Sequence, residues 1–187
     1  MHNHDTEPAR FLVDNIGLLP AGRVLDVAMG SGRNAVYLAK MGFTVYGVDI
    51  SAENIENTLA LARKAAVSIN TEIGDLEGSY HIAENAYDAI ICFNYLRRSF
   101  FPQIKNSLRP NGVVIYETFT IDQPQFGKPT NPDFLLKYNE LLDMFRDFRC
   151  LRYREGIMGN REAVASIVAQ KYQLKKEGRN CEKNGSV

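Results

Sequence analysis

The stretch V-L-D-V-A-M-G-S-G-R-N-A at residues 24–35 constrains the fold more than any other part of the chain. An apolar run short enough for a single strand passes into Gly30-Ser31-Gly32, and a helix-like run follows at residues 34–41. Glycine tolerates the left-handed backbone of a tight turn, and its bare Cα lets a ligand approach the main chain. A second apolar run, 43–48, then ends at Asp49. Strand, glycine turn, helix and strand in that order open a parallel α/β sheet.

The rhythm continues downstream. Ser51, with Asn54 three places on, caps a helix expected to reach residue 66. Residues 67–73 read as a third strand. Y-D-A-I-I-C-F at 87–93 reads as a fourth, nearly continuous in apolar residues, as for a strand covered on both faces. A helix over 97–108, a turn at Pro110-Asn111-Gly112 and a fifth strand over 112–119 follow. Upstream, residues 7–18 carry Phe11, Leu12 and Ile16 at near-helical spacing, stopped by Gly17 and Pro20. Residues 121–132 hold three prolines and a glycine, the composition of a long loop of the kind that forms lids or binding walls. A helix over 139–148 precedes two alternating runs, 148–155 and 162–172, that form a hairpin around 156–160. There is no internal repeat. The expected domain spans 1–174; the charged tail 175–187 is expected to be disordered. His2 and His4, in a loose polar start, are not read as metal ligands.

Composition narrows the partners. The 187 residues carry 22 basic and 22 acidic side chains, so the net charge is zero and no footprint for sustained nucleic-acid binding exists. Cys92, Cys150 and Cys181 lack metal-ligand spacing and suit a reducing compartment. No signal-peptide pattern opens the chain and no apolar run would span a bilayer, so a cytoplasmic protein without membrane or metal is expected.

Ligands of open α/β sheets bind at the carboxyl ends of the strands, near the point where strand order reverses. Asp49 falls where a carboxylate can accept both hydroxyls of a ribose, which makes this an adenosine site. Gly30 to Ala35 satisfies the dinucleotide pattern G-x-G-x-x-A and fits the glycine loop for S-adenosylmethionine equally well. The helix start after Gly32 can receive a pyrophosphate or a carboxylate, with Arg33 as its charged partner. Asp26, inside the first strand, and Asp75, after the third, favour the sulfonium cofactor. A dehydrogenase would also need a second βαβ half and a proton-relay residue, and neither is visible.

V-L-D-V-A-M-G-S-G-R-N-A-V-Y-L-A followed by V-Y-G-V-D-I-S resembles the class I S-adenosylmethionine-dependent methyltransferases, and within them the small tellurite-resistance-type branch. The resemblance covers roughly residues 10–172. It implies a single-domain Rossmann-like α/β fold, with a mostly parallel seven-stranded sheet, one antiparallel strand and helices on both faces. It further implies S-adenosyl-L-methionine as cofactor and S-adenosyl-L-homocysteine as product. By the same resemblance Asp26, Ala28, Gly30, Gly32 and Arg33 hold the methionine end and Asp49, with Ile50 beside it, holds the ribose. Asp75 and Leu76 flank the adenine, and Asn94 lies near the sulfonium. Ala28 departs from the pattern, which has glycine there; the extra methyl is expected to weaken cofactor binding without abolishing it.

Methyl transfer from a sulfonium is an in-line displacement that asks the protein chiefly for alignment. A base is needed only when the acceptor arrives protonated. Glu117, at the end of the fifth strand, is the candidate base or orienting group. Tyr95, Arg97, Arg98 and Lys128 are candidate contacts to a small acceptor: a thiol, a metalloid oxyanion or an organic acid. C-F-N-Y after the fourth strand is not the N-P-P-Y-type motif of amino-directed base methylation. A non-catalytic cofactor-binding protein and a nicotinamide oxidoreductase stay open as alternatives, as do monomer and homodimer.

Overall fold

A computed structural model describes residues 7–159 and 161–172. His2, His4, Cys181 and the 175–187 tail lie outside them. Seven strands form one sheet: β1 (Arg23–Val27), β2 (Thr44–Asp49), β3 (Asn70–Ile73), β4 (Tyr87–Phe93), β5 (Leu108–Phe119), β6 (Arg149–Met158) and β7 (Glu162–Gln170). Their order is β3-β2-β1-β4-β5-β7-β6. The five strands β1–β5 pair in parallel, whereas β7 runs antiparallel to both β5 and β6. The chain starts in the middle of the sheet, builds outward to β3, then returns to place β4 on the other side of β1. The strand order therefore reverses between β1 and β4, the crevice in which such sheets hold ligands.

Helices cover both faces. On one face α1 (Arg10–Asn15), α2 (Arg33–Lys40) and α3 (Ala52–Lys64) bury Phe11, Leu12, Leu38 and Ile55 against Val24, Val45, Ile91 and Ile115. On the other, α4 (Phe101–Ser107) and α5 (Glu140–Met144) bury Phe101, Ile104 and Leu141 against Leu25, Ile90, Tyr116 and Ile167. The β4 run that reads as two-sided is fully enclosed, with Ala89, Ile90, Ile91 and Cys92 at 0% exposure. Ser51 caps α3 as its sequence suggests, its hydroxyl accepting from the Asn54 amide at 3.2 Å.

Four expectations shift. β3 begins at Asn70 rather than 67, because Ala66 turns to positive φ and the Val67 amide still donates to Ala62 of the preceding helix. The turn at Pro110-Asn111-Gly112 lies inside β5: Asn111 has φ 64°, and the register against β4 jumps from Leu108 to Val113. Pairing survives the excursion because the Asn111 amide donates to Lys171 O and the Lys171 amide to Gly112 O. The helix over 97–108 divides into a 3-10 turn at Arg98–Phe100 and α4, and the one over 139–148 shortens to α5.

Candidate active site

The glycine loop is fixed by hydrogen bonds from its neighbours. β1 ends at Val27; Ala28 takes φ 54° and Met29 donates its amide to Val48 O at 3.0 Å, tying the loop to β2. Gly30 and Gly32 have φ 58° and 81°. A Cβ on Gly32 would sit 2.4 Å from Thr58 Oγ1, so only glycine lets α3 pack against the start of α2. A Cβ on Gly30 would meet nothing within 4 Å. The space over Gly30 is open to a ligand.

Asp49 organises this loop. It is 7% exposed, and its Oδ2 accepts the Gly30 amide at 2.8 Å. Its Oδ1 accepts the Ser51 amide at 2.9 Å and Asn54 Nδ2 at 3.0 Å. A carboxylate offers about four acceptor sites, so one remains, on Oδ2. That leaves room for a single hydroxyl rather than the pair expected from the sequence. Ile50, next in the chain, stands 62% exposed at the strand mouth, an apolar surface fit to cover one face of a purine.

Asp26 is the second buried acid. Its Oδ2 has no hydrogen-bond partner. Burial pushes its pKa well above the ordinary carboxylate value; the Arg33 charge lowers it, the Asp49 charge raises it further, and the Ala35 amide lowers it. A cationic amino group beside Asp26 would supply the missing hydrogen bond and add to the positive charge that Arg33 already brings. Carboxylate for hydroxyl, isoleucine for a ring, an orphaned acid for an ammonium: these groups fit a nucleoside carrying an amino-acid tail.

Asp75 follows β3 but is exposed, and its Oδ1 caps the Glu77 amide at 2.9 Å, closing a local turn. Leu76 is buried in the core beneath it. Asn94, with φ 58°, leaves β4 and donates its amide to Glu117 O at 2.9 Å.

Beyond β4 and β5 opens a cleft of about 450 Å³, between the β4 mouth (Asn94, Tyr95, Leu96) and the long loop (Lys128, Pro129, Phe134). Thr118 and Phe119 form its floor. Its loop wall is anchored. Gln123 is buried; its Oε1 accepts the Ala163 amide at 2.9 Å and its Nε2 donates to Lys128 O at 3.1 Å. The Tyr95 hydroxyl donates to Glu77 at 2.8 Å, and burial together with that carboxylate pushes its pKa up.

Three candidate acceptor groups are engaged elsewhere. Arg98 donates to both oxygens of Glu140 (2.6 and 2.9 Å) and to the carbonyls of Asp133 and Leu135, both at 2.9 Å. It is a clamp on the loop wall and not a contact for an acceptor. Arg97 bonds Ser99 Oγ at 3.0 Å and lies 3.7 Å from Glu77. Glu117 does not line the cleft. Side chains alternate along a strand, and Tyr116 packs on the α4 side, so Glu117 faces α1. There its Oε2 accepts from Ser166 Oγ at 2.5 Å and Arg154 Nη2 at 2.9 Å, while the Arg154 guanidinium stacks 4.7 Å from the Phe11 ring centre. Sequence reasoning missed Ser166, Arg154 and Gln123, each of which acts through a partner far away in the chain.

Residues 24–112 match a family model described as a methyltransferase domain. Over 155 residues the chain is 27% identical to a probable S-adenosyl-L-methionine-dependent methyltransferase, TehB of Haemophilus influenzae, covering 78% of this chain and 52% of the relative. It is 32% identical over 104 residues to a ubiquinone biosynthesis O-methyltransferase of Rickettsia typhi, covering 51% and 40%. The crystal structure of Haemophilus influenzae TehB superposes with a TM-score of 0.71 at 25% identity, over 86% of this chain and 61% of that one. The chain spans about half the length of the curated relatives it matches. In fold and in its domain match the chain is similar to the class I S-adenosylmethionine-dependent methyltransferases, and that similarity implies S-adenosylmethionine as cofactor. Within that class the chain resembles the TehB proteins. Among the described residues no helix is long and apolar enough to cross a membrane.

Proposed function

We propose that this chain transfers the methyl group of S-adenosylmethionine to a small-molecule acceptor in the cytoplasm. The observation that carries the reading is Asp49: a buried acid at the β2 mouth that holds the glycine loop by the Gly30 amide and keeps one acceptor site, beside the open space over Gly30. In this reading Asp26, Ala28, Gly30, Gly32 and Arg33 hold the amino-acid end. Asp49 and Ile50 take the ribose and one face of the adenine, Asp75 and Leu76 its edge, and Asn94 the neighbourhood of the sulfonium. The bound cofactor supplies a methyl group activated by positive sulfur. The chain's own residues orient and desolvate: Asn94 and Thr118 border the cleft at the two strand mouths, and Phe119, Phe134 and Pro129 keep water from the reacting line. Lys128 and Tyr95 contact the acceptor. Glu117, held by Ser166 and Arg154 on the α1 face, takes no part in the transfer.

Calorimetric titration with S-adenosylmethionine, S-adenosylhomocysteine and NADH tests this. Micromolar affinity for the two sulfur ligands, weakened at least tenfold in Ile50→Asp, is expected. Binding of NADH alone would overturn it. A second reading, a binding protein without turnover, draws on the engagement of Glu117 and Arg98 away from the cleft. Cofactor binding without methyl transfer to any nucleophile would select it.

A further inference from the structure

The cleft beside Asn94 has a chemistry that separates the candidate acceptors. Its walls are mostly carbon, from Leu96, Phe119, Pro129 and Phe134, and Phe134 is left 52% exposed at the rim. A volume of about 450 Å³ falls in the range that encloses ring-sized organic molecules. A small inorganic oxyanion would leave most of that apolar wall wet. It would also need several donors, and the two arginines nearest the cleft are engaged with Glu140, two carbonyls, Ser99 and Glu77. One cation lines the cleft, Lys128, and no ion pair engages it among the described residues.

The second observation is what the lining lacks. Its polar members are Asn94, Tyr95, Thr118, Lys128, Thr130 and Asn131, with no carboxylate and no imidazole. The Tyr95 hydroxyl already donates to Glu77, and Glu117 lies on the other face of the sheet, held by Ser166 and Arg154. Nothing in the cleft takes a proton from an alcohol, an ammonium or a thiol. The acceptor must therefore arrive with its nucleophile ionised, and at neutral pH a carboxylic acid does so unaided.

Resting on the reading of this chain as a methyltransferase, we infer that the cleft takes a small apolar carboxylic acid, its body against Phe119 and Phe134 and its carboxylate at Lys128. A carboxylate oxygen supplies the electron pair of the new O–CH3 bond as the S–CH3 bond breaks and its pair returns to sulfur. A methyl ester and S-adenosylhomocysteine result, and no proton is released.

The test begins with protein saturated with S-adenosylhomocysteine, titrated calorimetrically with 3-phenylpropionate, 3-phenylpropanamide and selenite. The acid is expected to bind at least tenfold tighter than the amide, and Lys128→Met should erase that preference while leaving homocysteine-ligand affinity intact. With methyl-labelled S-adenosylmethionine, 3-phenylpropionate should yield label released by mild base. Equal binding of acid and amide, comparable binding of selenite, or methylation of 3-phenylpropanethiol in place of the acid would overturn the inference. The acid and amide titrations are repeated without the sulfur ligand. A protein that fails to bind S-adenosylhomocysteine but keeps the preference for acid refutes the methyltransferase reading and leaves the cleft's specificity standing.

Discussion

Replacing Asp49 by alanine should unfold the glycine loop before it weakens any ligand. The carboxylate receives three donors, the amides of Gly30 and Ser51 and the side chain of Asn54, at 2.8, 2.9 and 3.0 Å. Hydrogen bonds to a charged group contribute about 1.5–3 kcal/mol each, and bonds sharing one acceptor are not additive. The group is 7% exposed, so water cannot readily replace the lost acceptor. The expected loss is about 3–5 kcal/mol, equivalent in a chain of this size to a melting temperature lower by roughly 6–20 °C. Asp49→Asn should lose about half as much, because its amide group must face at least one of the donors. The assay is thermal melting with and without S-adenosylhomocysteine. Ligand at about a hundred times its dissociation constant stabilises a binding protein by about 2.7 kcal/mol, so the parent should shift upward and Asp49→Ala much less. The ligand-free melt decides the matter. If Asp49→Ala melts within about 2 °C of the parent without ligand, Asp49 is a ligand contact and does not hold the loop.

Ala28 has φ 54°, a backbone that costs an L-residue about 1–2 kcal/mol and glycine nothing beyond its extra chain entropy of about 0.5–1 kcal/mol. Ala28→Gly should therefore be neutral to about 1 kcal/mol more stable in urea unfolding, and should bind S-adenosylhomocysteine more tightly. Arg98→Ala removes four donors from Glu140 and two carbonyls. With the exposed ion pair discounted, about 1–3 kcal/mol should be lost, and hydrogen exchange should accelerate over residues 131–138 while the Gly30 loop is unaffected. Asp26 has a raised pKa, so the folded state keeps a proton that the unfolded chain has already released above its ordinary value of 3.8. Stability from this group is present at low pH and lost as pH rises through the folded value. Asp26→Asn should gain on the parent in urea midpoint between pH 4 and pH 8, and a constant difference across that range would refute the assignment.

The glycine loop was legible because its determinants are local. Met29, Gly30, Asp49 and Ser51 lie within 23 positions of one another, and each belongs to a strand end that the apolar runs mark. The hairpin of β6 and β7 was legible for the same reason, from two alternating runs on either side of Gly159. At the acceptor end locality fails. Arg98 reads as a contact for the acceptor until Glu140, 42 residues away, is folded onto it. Glu117 reads as a cleft carboxylate because it ends a strand, yet the alternation that buries Tyr116 on one face sends Glu117 to the other. Asn111 signals its turn correctly, but what lets β5 continue through it is Lys171, on the far side of the hairpin.

That division has a functional consequence. Residues 121–132 have the composition of a lid, and a lid would admit the acceptor by opening. Here the segment is pinned at several points. Thr120 bridges Leu136, the Ile121 amide donates to Leu136 O, Gln123 spans from Ala163 to Lys128, and Arg98 holds the carbonyls of Asp133 and Leu135. Gln123 ties the loop to β7, and Arg98 ties the residues that follow it to the turn before α4, so opening the wall as a unit would break both. The loop is a standing wall, and the cleft it bounds has its shape before any ligand arrives. Selectivity at such a wall comes from its apolar surface and from Lys128, which no ion pair engages among the described residues, rather than from closure. It follows that an acceptor should bind without a slow conformational step, with an association rate that rises linearly with its concentration. A rate that saturates would mean that the anchors of Gln123 and Arg98 release during binding.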